Sequence, residues 1–113
     1  MELETAVLRE LFRSIQEFRS FYVATGISTI DTPYGEVCLF DVEHLLEQRV
    51  RLAPRQKQAI ELCLIEGMRE SDAARVMGLK PTNPVAMYAT DGINHIIQMV
   101  YRGEVPRYRE VAA

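Results

Sequence analysis

Six residues around position 85 have side chains that can contact the base edges of duplex DNA. Asn can pair with adenine, Met and Ala can touch the methyl group of thymine, and Thr can hydrogen-bond to bases of either kind. The predicted base- or sugar-contacting residues are Thr82, Asn83, Ala86, Met87, Thr90 and Asn94. Asp91 lies in the same stretch, where its carboxylate would repel phosphate but could accept a hydrogen bond from cytosine.

Positive charge is concentrated just before these residues. Residues 1–48 carry nine acids against three bases, a net charge of −6, whereas residues 49–80 carry seven bases against four acids, a net charge of +3. The predicted phosphate-contacting residues are Arg55, Lys57, Arg69, Arg75 and Lys80. Four to five such contacts predict a log–log salt slope of about −4. Taken singly, each of these Arg and Lys side chains is also typical of a solvated helix surface. Asn83 is likewise typical of a helix cap.

Two helices are predicted to lead up to these polar residues. The first begins at Pro54, a residue favoured at the start of helices, and runs to about Gly67. The second is short and closes at Gly78, where glycine supplies a positive φ cheaply, while Ala74 permits a close crossing of helices. The predicted core of this region consists of Ile60, Cys63, Leu64, Ala74, Met77, Leu79, Val85 and Tyr88. This core would hold a third helix outward.

The third helix is predicted to begin near Asn83, with Pro84 at its first position, and to stop at Arg102-Gly103. Its predicted inward stripe is Val85, Tyr88, Ala89, Gly92, Ile96 and Val100, and its outward face is Ala86, Met87, Thr90, Asp91, Asn94 and Gln98. Gly inside a helix is destabilising, so Gly92 predicts the close approach of another helix, with the N-terminal helix as a candidate.

The residues from Leu52 to Val100 resemble the fourth region of bacterial sigma factors and their phage-encoded relatives. The resemblance rests on Leu52, Pro54, Arg55 and Gln56, then Gly67, then Asp72, Ala73 and Ala74, then Gly78 and Leu79. It covers about half the chain and implies a helix-turn-helix whose third helix enters the major groove. The chain departs from the family pattern at Arg69, in a longer loop over residues 80–84, and in a third helix without Arg or Lys.

The composition is that of one soluble globular unit. The chain has 113 residues, of which 48% are hydrophobic and 26% charged. No apolar run reaches the roughly 20 residues that span a bilayer, and the N-terminal stretch carries acids where a signal peptide carries bases, which together predict a cytoplasmic protein. Cys38 and Cys63 are distant in sequence and lack metal-binding spacing, so buried reduced thiols are predicted.

An amphipathic helix is predicted from Glu2 to Tyr22. Its apolar stripe consists of Leu8, Leu11, Ile15, Phe18 and Tyr22, with Leu3 and Val7 as extensions. The stripe either packs on the protein's own helices or pairs with a second copy in a homodimer. A heptad-like seam of this length is compatible with both alternatives.

A short β-hairpin is predicted between residues 27 and 40, around the turn Thr32-Pro33-Tyr34-Gly35. Val37, Leu39 and Phe40 are the predicted contacts with the helices, and a wing or docking edge is the functional alternative. Asp41 is the predicted cap of a connecting helix over residues 42–50, in which His44 is interpreted as a surface residue.

These features predict a mainly α fold with a tri-helical helix-turn-helix core, an N-terminal amphipathic helix and a short hairpin. The predicted parts are 1–50, 51–102 and a tail over 103–113, in one compact unit. No enzyme motif, cofactor site or metal site is predicted, since the acids Glu43 and Glu47 suit an exposed helix face beside Arg49 and Arg51.

Two functions remain open at this point. The first is a small DNA-binding transcription regulator of a phage or mobile element; the resemblance further implies RNA polymerase as a possible partner. The second is a protein–protein interaction adaptor, for example on RNA polymerase, that keeps the fold without binding DNA.

Overall fold

The computed structural model describes residues 3–105, and residues 1–2 and 106–113, including the end of the predicted tail, lie outside it. Six α-helices and one two-stranded sheet are present in this part of the chain. In chain order they are α1 (Thr5–Arg13), α2 (Ile15–Thr25), β1 (Thr29–Thr32), β2 (Gly35–Cys38), α3 (Leu39–Glu47), α4 (Pro54–Ala59), α5 (Glu70–Val76) and α6 (Val85–Tyr101). The predicted mainly helical fold with a short hairpin is confirmed.

The N-terminal stripe forms two helices where one helix was predicted. Ser14 has φ −92° and ψ 1°, and this ψ is about 40° from the helical value, so the helix is interrupted there. Leu8, Leu11 and Ile15 are fully or almost fully buried and Phe18 is buried at 9% exposure, whereas Tyr22 is 36% exposed. Most of the stripe therefore packs inside the protein's own core, as in the first of the two alternatives.

The hairpin prediction is confirmed. β1 and β2 are antiparallel, with Ile30 opposite Val37 and Thr32 opposite Gly35. Thr32 closes the turn, because its hydroxyl donates to the Gly35 carbonyl at 2.7 Å and accepts from the Tyr34 N–H at 3.1 Å. Val37 is buried and anchors the hairpin on the helices.

The connecting helix begins earlier than predicted. α3 starts at Leu39 directly after β2, so Leu39 and Phe40 belong to its first turn and Asp41 is not its cap. Leu39 is buried at this junction, where its N–H donates to the Ser28 carbonyl at 2.7 Å. Burial of an apolar side chain here outweighs the capping preference of an exposed Asp. A 3₁₀ turn, Gln48–Arg51, then leads towards α4.

The helix from Pro54 changes type midway. α4 continues as a π-helical segment, Ile60–Ile65, in which the Glu66 N–H donates to the Glu61 carbonyl five residues back at 3.0 Å. The side chains of Ile60, Leu62 and Leu64 are all buried in this segment. Gly67 follows with a φ of +68°, close to the predicted helix end.

Gly78 ends α5 as predicted. It has a φ of +72°, its N–H donates to the Arg75 carbonyl at 3.0 Å, and the Leu79 N–H donates to the Ala74 carbonyl at 2.8 Å. This pair of hydrogen bonds is a Schellman motif, which requires the left-handed conformation that glycine adopts without strain. The chain then turns through residues 80–84, and Pro84 with φ −78° and ψ 71° directs it into α6.

The last helix is packed on two sides. Its buried residues are Val85, Ala89, Gly92, Ile93, Ile96, Ile97 and Met99. Ile93, Ile97 and Met99 lie outside the predicted stripe, because α1 covers one side of α6 in addition to α4. Of the predicted outward face, Ala86, Met87, Asp91 and Gln98 are exposed, whereas Thr90 and Asn94 are half-buried, so this helix projects less than predicted.

Gly92 marks the close approach of α4. A Cβ atom at Gly92 would lie 2.9 Å from Ile60 Cδ1, 3.2 Å from Gln56 Cβ and 3.2 Å from Leu52 Cδ1. The predicted close contact is therefore present, but the neighbours are Leu52 before α4, Gln56 within it and Ile60 directly after it, and not the N-terminal helix.

No helix among residues 3–105 has both the length and the apolar character needed to cross a bilayer. Cys38 and Cys63 are both free and half-buried.

Candidate nucleic-acid interface

A ridge of polar and flexible side chains runs along the solvent side of α6. Met87, Asp91, His95 and Gln98 are exposed at steps of three and four residues, and Met87 is 60% exposed. Residues at this spacing share one face of a helix. We call Met87, Asp91, His95 and Gln98 the α6 ridge; it is the part of α6 that a ligand can reach.

The predicted base-contacting residues fall into two groups. Thr82, Ala86 and Met87 are exposed at the N-terminal end of α6, and Asn83 is half-buried just before it. Thr90 and Asn94 are turned towards α1: Arg9 donates to the Thr90 hydroxyl at 2.5 Å, and the Thr5 hydroxyl donates to the side-chain oxygen of Asn94. The two half-buried side chains thus tie α6 to α1.

These contacts bring two arginines of α1 beside α6. Arg9 and Arg13 line a groove of about 270 Å³ together with Ala86, Met87 and Thr90. The floor of the groove is formed by Cys63, Leu64 and Ala89. Sequence reasoning missed both arginines, because they belong to the acidic N-terminal part of the chain; the only available signal was their spacing of four residues along a helix.

Arg55 lies on the opposite side of the ridge. Its guanidinium is 5.8 Å from the ring centroid of Tyr88, and its Nη1 donates to the Tyr88 hydroxyl at 3.3 Å. Tyr88 and Thr90 are about 200° apart around α6, so Arg55 and Arg9 flank the helix from its two sides. The ridge itself has no Lys or Arg, and neighbouring helices supply the positive charge.

The other predicted phosphate contacts differ in their surroundings. Arg75 forms an exposed ion pair with Asp72, in which Nη1 and Oδ1 are 3.5 Å apart. Arg69 and Lys80 are exposed and Lys57 is half-buried, and none of the three forms an ion pair within residues 3–105. Arg69 and Lys80 precede and follow α5, and thus lie at its two ends.

A carboxylate occupies the N-terminus of α6. Glu70 Oε1 accepts a hydrogen bond from the Ala86 N–H at 3.0 Å, so this acid caps the helix from the start of α5. The predicted capping role of Asn83 is wrong, because α6 begins at Val85 and its N-terminal position, Pro84, makes no side-chain cap. Sequence reasoning missed Glu70 because it lies 16 residues before its partner.

The electrostatics of the groove are mixed. Burial raises the pKa of the Cys63 thiol, the Glu70 carboxylate raises it further, and Arg13 acts in the opposite direction. Glu10 forms an exposed ion pair with Arg13 at 3.0 Å. The groove therefore combines two guanidinium groups with two nearby carboxylates, and a bound phosphate would have to displace Glu10 from Arg13.

The arrangement places guanidinium groups where they can bind an anionic chain. No group of three or more His, Cys, Asp or Glu side chains within the described chain is placed to hold a metal ion. Guanidinium groups on both sides of an exposed helix face can bind the phosphates that border a groove, while Met87 lies on the face between them and Ala86 lines the side of Arg9 and Arg13.

Comparison of the chain with protein-family models, curated proteins and solved structures produced no match.

Proposed function

We propose that this protein is a small transcription regulator that binds duplex DNA with the N-terminal half of α6 in the major groove. In this proposal α4, α5 and α6 act as a sigma region-four-like helix-turn-helix. Ala86, Met87 and Thr82 contact base edges, with Asn83 next to them. The protein would act in the cytoplasm of a bacterial host, encoded by a phage or another mobile element.

One observation carries the proposal: the exposed ridge of α6 is flanked on both sides by arginines from other helices. Arg9 and Arg13 lie on the α1 side and Arg55 lies on the α4 side. The phosphates of the two strands border the major groove on either side, so cations are needed on both sides of an inserted helix. Arg69 and Lys80 add two exposed cations beside the same end of α6.

Thr90 and Asn94 have a different place in this proposal from the one that the sequence indicated. Both are hydrogen-bonded to α1, and a base contact would have to compete with these bonds. We assign them to holding α1, and with it Arg9, against α6. Arg75 contributes less than Arg69 and Lys80, since Asp72 already neutralises it.

The proposal is tested by DNA binding with random-sequence duplexes of about 25 base pairs, followed by selection of the tightest binders. Fluorescence anisotropy across a salt series should give a log–log slope of about −4 for the wild-type protein. Replacing Arg69 and Lys80 by Glu should remove most of this binding, because two phosphate contacts become two repulsions.

The control is Arg102→Glu, which makes the same two-unit charge change as Arg69→Glu alone or Lys80→Glu alone. Arg102 is exposed just beyond the far end of α6, so the same charge reversal there should leave DNA affinity within about twofold. Equal losses in the Arg102 variant and in the Arg69 and Lys80 variants would contradict the proposal, because only net charge would then matter. The absence of saturable binding at 50 mM salt would also overturn it.

A second candidate function is an interaction adaptor, with RNA polymerase as a possible partner, that does not bind DNA. The carboxylates favour it: Glu70 at the N-terminus of α6 and Asp91 in the middle of the ridge both oppose phosphate. For this function, replacing Asp91 by Asn should leave DNA binding undetectable. For a regulator that binds DNA, the same change should tighten binding several-fold, since it removes a repulsion.

A further inference from the structure

A second surface lies between α2 and α3, away from the face described above. A groove of about 400 Å³ separates the two helices, with Tyr22, Val23 and Phe40 as its apolar walls and Glu43 and Glu47 along its α3 side. We call this surface the α2–α3 groove. Arg19 also borders it, through an ion pair with Glu43.

The apolar walls are preformed. The rings of Tyr22 and Phe40 pack edge to face, with centroids 5.3 Å apart and an interplanar angle of 79°. Val23 beside them is 84% exposed, and Tyr22 is 36% exposed. A rigid aromatic pair next to an exposed aliphatic side chain offers apolar area that can be buried without much loss of side-chain entropy.

The groove has more acids than bases, since Glu43 and Glu47 line it against the single base Arg19. The segment from α2 to α3, residues 15–47, carries six acids and one base. Arg19, the one base, donates two hydrogen bonds to Glu43, one of them from Nη2 at 3.0 Å. The Glu43 carboxylate therefore largely offsets the positive charge of Arg19. The Glu47 side chain is 69% exposed, and its Oε2 lies 3.6 Å from His44 Nδ1.

We propose that the α2–α3 groove docks a basic amphipathic helix of a partner protein. The apolar face of that helix would cover Val23, Tyr22 and Phe40, and a flanking Lys or Arg residue would meet Glu47. This interaction does not depend on DNA binding, because the surface lies on different helices from the α6 ridge.

A second copy of this chain is the poorer occupant. A symmetric dimer would place the same patch of each copy against the other, so two grooves that each have more acids than bases would meet. Like charges across an interface oppose association, whereas a basic helix complements them. The charge of the α2–α3 groove therefore favours a basic partner over a second copy of this chain.

The test uses a fluorescein-labelled 14-residue peptide. Leu recurs in it at steps of three and four residues, so that Leu lines one face of the helix, and every other residue is Lys. A peptide with Glu in place of every Lys is the matched probe. The full-length wild-type protein should bind the Lys peptide saturably and the Glu peptide at least about tenfold more weakly. Raising the salt from 50 to 500 mM should weaken the Lys peptide about tenfold.

Two variants locate the binding. Val23→Asp should weaken the Lys peptide about fivefold or more, since it removes the most exposed apolar contact, and Glu47→Lys should weaken it about threefold. Val76→Asp is the matched control; Val76 is 56% exposed on α5 and should have no effect. Amide shifts in the wild-type protein should concentrate in residues 19–23 and 39–47.

Three results would overturn the proposal. The first is equal binding of the Lys and Glu peptides, or no saturable binding of either. The second is an equal loss in the Val23 and Val76 variants. The third is a dimer mass by light scattering that Val23→Asp converts to a monomer, because a second copy would then occupy the groove. Charge reversal at Arg69 and Lys80 should leave peptide binding unchanged. The peptide-docking proposal and the DNA-binding proposal can therefore fail independently of each other.

Discussion

The two N-terminal helices are neighbours in sequence and differ in nearly every physical property. α1 buries Val7, Leu8, Leu11 and Phe12, and α6 lies along it. α2 buries only Ile15 and Phe18, and leaves the side chains that follow Phe21 largely exposed. The interruption at Ser14 separates a helix that is part of the core from one that forms a surface.

The difference shows how one amphipathic pattern can serve two purposes. The apolar spacing is continuous from Leu8 to Tyr22, yet burial decreases along it, because α6 covers α1 while α2 packs mainly on the short helix α3. The same division applies to charge: Arg9 points to Thr90 of α6, whereas Arg19 is paired with an acid of α3. The four predictions below test this division.

The largest expected effect compares one phenylalanine in each helix. Phe12 has no exposed surface, so Phe12→Ala should lower the free energy of unfolding by about 3–5 kcal/mol through lost burial and a cavity. Phe21 is 44% exposed, so Phe21→Ala should cost less than about 1 kcal/mol. Urea denaturation followed by circular dichroism measures both, and similar losses would show that α2 is as much a part of the core as α1.

The second prediction compares the two arginines in DNA binding. Arg9→Ala should weaken DNA binding about tenfold at 50 mM salt and lower the magnitude of the salt slope by about one, because one phosphate contact is lost. Arg19→Ala should change affinity by less than about twofold. Thermal unfolding of both variants is the control for folding. If the two variants changed DNA affinity equally, α1 would not be part of the DNA interface.

The third prediction concerns the thiol beneath α1. The raised pKa of Cys63 lowers the fraction of reactive thiolate at any given pH, so alkylation should be slow near neutrality and accelerate only at higher pH than for an unperturbed thiol. In a Cys38→Ser protein, we expect the rate at pH 8 to be lower than that of the urea-unfolded chain. Mass spectrometry across pH 7–10 measures this rate. A native rate equal to the unfolded one would mean that α1 does not cover this site.

The smallest effect compares one Arg–Glu pair from each helix. The Arg19 and Glu43 side chains are 38% and 28% exposed, and hydrogen bonding to Glu43 raises the pKa of Arg19. Solvent screens such a pair in part, so Glu43→Gln should cost about 0.5–1 kcal/mol at low salt and less at 1 M salt. The Arg13–Glu10 pair is more exposed, at 53% and 47%, and Glu10→Gln should have no measurable effect on unfolding. A larger loss at Glu10 than at Glu43 would reverse this ranking.

Local structure was largely predictable from the chain. The turn Thr32-Pro33-Tyr34-Gly35, the helix start at Pro54 and the helix ends near Gly67 and Gly78 follow from backbone preferences that act over a few residues. The start of α3 was not predictable in this way, because burial of Leu39 at the end of the hairpin overrides the capping preference of Asp41.

The candidate site was predicted in part. Ala86 and Met87 are exposed as expected, and Arg69 and Lys80 remain available within the described residues. Arg9 and Arg13 could not be found, since no local pattern connects α1 with α6 across more than 70 positions. Glu70 was assigned no role for the same reason, because its partner Ala86 is set by the packing of α5 and not by sequence spacing.

The sequence by itself determined where helices and turns form, and where positive and negative charge are concentrated, because these depend on residue type and short-range spacing. Only the tertiary structure decided which helices pack against one another and which polar side chains those contacts cover. Arg9 reaches Thr90 from 81 positions away and Thr5 reaches Asn94 from 89, and contacts of this range depend on how whole helices pack. That packing turned half of the predicted base-contacting face of α6 into a contact with α1, and placed two arginines of an acidic segment beside the remainder.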